Sequence, residues 1–131
     1  MSRTTHWMFC NALSATLLLT SVGLAQGIQT KRDATVLYGS AANCTRPATI
    51  RYDRVKKFTP EWKTIRSEGV RKGSARYDLL VSNMNTRIKE AAMDAAEKES
   101  CDCVVHQGDI KNANGLKVQD LTGKVVEELD S

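Results

Sequence analysis

The stretch YDLLVSNMNTRIKEAAMDA, residues 77–95, decides the fold. Tyr77, Val81, Met84, Ile88, Ala91 and Ala95 follow one another at intervals of four, three, four, three and four, the a/d spacing of a coiled coil. The positions between are mostly polar or charged, among them Asp78, Ser82, Asn85, Arg87, Lys89, Glu90 and Asp94. A stripe this narrow makes no globular core alone. It requires a partner helix, from the same chain or from another copy. The pattern predicts a helix capped by Ser74 and running to about Glu99.

Upstream, Thr59-Pro60-Glu61 reads as a helix start, with Thr as N-cap, Pro at the first position and an acid at the second. Trp62 and Ile65, joined by Val55 and Phe58, give that helix its apolar face. Gly69 and Gly73, within RSEGVRKGSAR (66–76), mark a turn between two antiparallel helices. The hairpin covers about residues 59–99 and is lopsided, about 14 Å going out and about 38 Å coming back at 1.5 Å per residue. Much of the long helix's stripe therefore needs cover from the body of the domain or from another subunit.

Strands flank the hairpin. Ala48 to Tyr52 alternates and suits a strand, as does Asp102 to His106, with Cys103 and Val105 on one face and Val104 on the other. Residues 108–115 suggest a hairpin-like loop, Leu116 to Gln119 a short returning strand, and Asp120 or Thr122 the cap of a last helix bearing Leu121, Val125, Val126 and Leu129. The class is α+β: a small strand body with a helical hairpin (coiled-coil) arm, over residues 48–131. Residues 26–47 have weak periodicity, apart from a short strand near 34–38, and are expected to be poorly ordered.

Residues 1–25 carry Arg3, an apolar stretch from Ala12 to Leu24, and small residues Gly23 and Ala25 before Gln26. This is the pattern of a cleavable export signal, and the apolar run is too short to span a bilayer. The localisation expected is periplasmic, or otherwise exported. The formal charge of +4 falls by one when Arg3 leaves. So mild an excess suits acidic partners or an anionic membrane surface and does not imply nucleic acid.

Cys44, Cys101 and Cys103 remain after the signal. An odd number in an oxidising compartment permits at most one intrachain disulfide, from Cys44 to Cys101 or to Cys103, the alternative being simple thiols. Cys101-x-Cys103 with His106 is the one cluster of ligand-type residues, suited to a soft metal or, with Cys44, to tetrahedral zinc. Its spacing is not that of zinc knuckles, and a buried thiol acting as a small hydrophobe accounts for Cys103 as well. Catalysis has little support: His106 is the only histidine beyond residue 25, Asp109 and Asp120 have no partner acid, and no phosphate loop is present. The chain reads as a non-enzyme without a cofactor.

Thr86-Arg-Ile88, the alanine-rich helix end, Asp102-Cys-Val-Val105, and Val118-Gln-Asp-Leu-Thr122 with Val125 and Leu129 resemble the closing pattern of the Skp, or OmpH, family of periplasmic chaperones. Ala48 to Tyr52 followed by Asp53-Arg-Val55 is similar to that family's opening strand. The resemblance implies a homotrimer whose strands and short helices form a compact body from which hairpin arms project. It implies a holdase that binds unfolded outer-membrane or envelope proteins without ATP. The family's arms are long; this one is short. An alternative is a structural or adaptor protein that keeps only the trimeric body, and a third is a thiol or metal carrier using Cys101 and Cys103. Arg66, Arg71, Lys72 and Arg76 gather at the expected tip with only Glu68 opposing them. Such a tip suits anionic headgroups or acidic client segments at about 1 kcal/mol per charge, and otherwise is a solvated turn.

Overall fold

The computed structural model describes residues 27–131; the expected export signal, residues 1–25, lies outside them. In chain order the elements are β1 (Gln29–Thr30), β2 (Val36–Gly39), a 3-10 turn (Ala41–Asn43), β3 (Pro47–Ile50), α1 (Tyr52–Val55), a second 3-10 turn (Lys56–Phe58), α2 (Pro60–Glu68), α3 (Ala75–Lys98), β4 (Cys103–His106), β5 (Ile110–Asn112), β6 (Gln119–Asp120) and α4 (Thr122–Asp130). The class is α+β, as the sequence leads one to expect.

The helix starts follow from their caps. Thr59 Oγ1 accepts the N–H of Trp62 at 3.3 Å, with Pro60 opening α2. Ser74 Oγ accepts the N–H of Tyr77 at 3.2 Å and opens α3. Gly69, at φ 59°, closes α2 in the left-handed conformation that side chains disfavour. With 9 residues in α2 against 24 in α3, the hairpin is as unequal as the sequence implies.

Four strands form one sheet in the order β2-β4-β3-β6. β3 runs parallel to β4, pairing Pro47 with Cys103 and Ile50 with His106. A parallel pair needs a long crossover, and the whole of α1, α2 and α3 supplies it. Pro47 sits at the first position of its strand, where a missing N–H costs least. All of β3 is buried and so is nearly all of β4, because both faces of the sheet are covered. On one face Ala48, Ile50 and Val104 meet Met84, Ile88, Ala91, Ala92, Ala95 and Ala96 of α3 and Val125 of α4. The alanines let α3 and α4 approach closely. On the other face Cys103 and Val105 pack with Ile28, Cys44 and Ile110 in a smaller cluster.

Three expectations change. First, residues 27–47, expected to be poorly ordered, contain β1, β2 and Cys44. β2 pairs antiparallel with β4 and β1 with β5, so the segment takes its order from strands far downstream that local periodicity does not reveal. Second, the returning strand is not a hairpin partner of β4. Only Gln119 and Asp120 are extended, and they pair in parallel with Ala48 and Thr49, while the intervening loop gives β5 to β1. Third, the heptad stripe is largely sealed by its own chain. Met84, Ile88, Ala91 and Ala95 are buried against the sheet and α4; Tyr77 and Val81 are half-buried. Cover from another copy is not needed over the helix's C-terminal half. Among the described residues no helix is long and apolar enough to cross a membrane.

Candidate functional site

The arm is tied at its root. Glu61 in the first turn of α2 is nearly buried, and Arg87 of α3 reaches it with Nε at 3.0 and 3.1 Å from the two carboxylate oxygens and Nη2 at 2.9 Å from Oε1. Desolvation works against the charge of Glu61, but the Arg87 hydrogen bonds outweigh it and hold the carboxyl below its usual range. Lys56 pairs with Asp53 at 2.8 Å and lies 4.5 Å above the Trp62 ring, so Trp62 is a packing residue with a cation on its face.

At the tip the four predicted cations divide. Arg76 pairs with Glu68 across the turn. Arg66, Arg71 and Lys72 are exposed and form no ion pair among the described residues. Leu79, one turn beyond Arg76, is 62% exposed, so the arm presents an apolar side chain beside its basic end. Phe58, Met93 and Val118 are also exposed, as is Val36 on the outer strand β2. Each is separately placed in the sequence.

The cysteines resolve differently from the metal reading. Cys44 and Cys103 form a disulfide. Cys101 is a free buried thiol that packs on the helical side of the sheet, whereas Cys103 faces the smaller cluster. Cys101 and Cys103 lie on opposite sides of the sheet because Cys101 precedes β4, in the turn that leaves α3. His106 lies three residues beyond Cys103, at the far end of β4. Cys101, Cys103 and His106 therefore do not share a ligand set. Cys44, Asp102 and Cys103 do converge within 4.8 Å, yet both sulfurs there are bonded to each other. Burial, with Glu99 and Asp102 nearby, pushes the Cys101 thiol up, which makes it inert.

Asp102 holds the disulfide loop. Its carboxylate accepts from Thr45 N–H at 2.9 Å, Thr45 Oγ1 at 2.6 Å and Arg46 N–H at 2.7 Å. These bonds overcome desolvation and lower its pKa. The sequence points to Asp102 only as a strand start, and its partners lie more than fifty residues upstream. Asp120 accepts from the Thr122 N–H and hydroxyl at 2.9 and 2.6 Å, holding the first residue of α4 from two positions before it. The Thr122 hydroxyl in turn accepts the Arg51 N–H at 3.0 Å.

A second constellation lies where the arm meets the body. The Tyr52 hydroxyl donates to Oδ1 of Asn85, and the Tyr52 ring stacks on His106 with centroids 4.9 Å apart. His106 Nε2 is closed off from solvent and has no hydrogen-bond partner among the described residues. Burial lowers the His106 pKa despite Asp109 and Asp53, and burial together with Asp53 and Tyr77 raises that of Tyr52. His106 lines two adjoining cavities. One, of about 570 Å³, is edged by Ile50, Tyr52, Arg51, Arg54 and Lys57. The other, of about 290 Å³, is edged by Thr35, Leu37, Asn85 and Lys89.

No family model, no curated protein and no solved structure matches this chain.

Proposed function

We propose that the protein is an exported holdase of the Skp/OmpH kind, binding unfolded outer-membrane or envelope proteins without ATP and working as a homotrimer. The observation that carries this reading is the arm: a hairpin anchored by Glu61 and Arg87 whose end offers exposed Leu79 together with the exposed cations Arg66, Arg71 and Lys72. Apolar contact at about 25 cal/mol per Å² and about 1 kcal/mol per cation near an anionic surface give weak attachment at many points. Weak, distributed attachment holds a client without folding it, and no catalytic residue is required. The outer strands β2 and β6 leave main-chain groups on which neighbouring copies can pair.

The test dilutes a urea-denatured β-barrel protein into the purified chain while light scattering follows aggregation, with molar mass measured in parallel. Suppressed aggregation by a species of three chains is expected. A lone subunit that leaves aggregation unchanged removes the proposal. One observation favours the adaptor reading instead: Met84, Ile88, Ala91 and Ala95 are sealed in cis, so the long helix is stable without enclosing a client. Three chains that fail to suppress aggregation fit that reading.

A further inference from the structure

We propose that Arg51, Arg54 and Lys57 form a binding site for a phosphate monoester at the root of the arm, with His106 in its wall. Arg51 is the N-cap of α1, Arg54 lies within α1, and Lys57 lies in the 3-10 turn that continues it. All three border the cavity of about 570 Å³.

What sets them apart is an excess over the nearby counter-charge. Asp53 is engaged by Lys56. Asp120 lies close enough to feel Arg51 and Arg54, but its Oδ1 is taken by Thr122. None of the three cations forms an ion pair among the described residues. Asp53 also borders the cavity and is offset by Lys56, and the three cations against Asp120 leave an excess of about two positive charges, suited to a dianion. Guanidinium forks match the oxygens of a phosphate, and the half-buried Tyr52 in the wall offers apolar surface to the organic part of an ester.

His106 supplies the readout. Its ring faces Tyr52 and Asp53 from α1, Asn85 and Lys89 from α3, Thr35 before β2, and Asp109 beyond β4. Among the described residues no group accepts a hydrogen bond from Nε2. A bound dianion adds negative potential beside the ring and raises its affinity for a proton. This site lies some ten residues of α3, about 15 Å, from the basic tip, and does not depend on the chaperone reading.

The experiment titrates the protein at low salt with inorganic phosphate and phenyl phosphate by calorimetry, and adds vesicles of phosphatidylcholine with and without phosphatidic acid. NMR follows the His106 titration. Saturable binding of a soluble phosphate with an upward shift of the His106 midpoint is expected, weakened at least tenfold by Arg54→Glu with Lys57→Glu. Both changes fall on exposed side chains, and an unchanged melting temperature establishes that the variant folds. Binding to phosphatidic acid vesicles alone, lost in that variant, assigns the phosphate to a lipid headgroup. No binding in any arm overturns the proposal. So does a variant that binds as well as the parent, or vesicle binding abolished by Arg71→Glu with Lys72→Glu but not by the Arg54 and Lys57 changes.

Discussion

Arg87 and Glu61 are 26 positions apart, yet three nitrogen–oxygen contacts of 2.9 to 3.1 Å join them. The pair is asymmetric, with Glu61 nearly buried and Arg87 half exposed. Glu61→Gln removes the charge from the buried side and leaves a cation that can hydrate. A loss of about 1.5 kcal/mol is expected, read as a fall in melting temperature of roughly 6–12 °C. A variant that melts with the parent would show that the hairpin is held by apolar packing alone.

The Cys44–Cys103 bond closes a loop of 59 positions. Replacing both residues with Ser is expected to cost about 2–4 kcal/mol. The loss should be local before it is global, with amide exchange accelerating first across residues 27–44 while α3 remains protected. Uniform acceleration along the chain would contradict this picture.

Gly39 ends β2 at φ 72°, and a Cβ there would fall 2.0 Å from the Asp102 carbonyl oxygen. Gly73 is also left-handed, at φ 87°, but a Cβ would meet open space. Gly39→Ala should therefore cost well over the roughly 1–2 kcal/mol that the backbone conformation alone demands, whereas Gly73→Ala should stay within it. Chemical denaturation of the two variants checks the order, and equal losses would count against the close approach of β2 to β4.

Acid should destabilise the fold in two stages. Burial lowers the folded pKa of His106, so the unfolded chain binds the proton more readily and stability declines as pH drops through about 6.5. Asp102 and Asp120 are likewise lowered. Their contribution is whole above the unfolded aspartate value of about 3.9 and is lost as the pH falls below it. Denaturation midpoints from pH 8 to pH 2 should show both declines, the first absent in His106→Gln and the second shallower in Asp102→Asn.

Charge at the tip is separable from the fold. Arg71→Glu with Lys72→Glu should leave melting within about 0.5 kcal/mol of the parent while weakening low-salt binding to anionic vesicles or to an unfolded client. Unchanged binding would mean that the turn is merely hydrated.

Local signals in the sequence carried the helices well. Thr59 and Ser74 each cap the helix they precede, and the Gly69 and Gly73 turn lies where the sequence puts it. Pairing was less legible because its partners are distant. Val36 and Val105, or Gln29 and Asn112, meet only after the intervening helices are placed. The stripe from Tyr77 to Ala95 marks a buried face, but periodicity does not say whether the cover comes from the same chain. The grouping of Arg51, Arg54 and Lys57 emerges only in the fold, where they border one cavity while Lys56 engages Asp53 and Thr122 engages Asp120.

The pairing of β1 with β5, and of β2 with β4, bears on how the molecule comes into being. Gln29 finds its register opposite Asn112, and Val36 opposite Val105. A chain emerging from its N-terminus thus offers its first strands long before their mates exist. Those strands wait as an unsatisfied edge while the hairpin, built from neighbours, takes shape beside them. Removing the stretch from Cys103 to Asn112 should therefore unmoor the opposite end of the polypeptide rather than trim a tail.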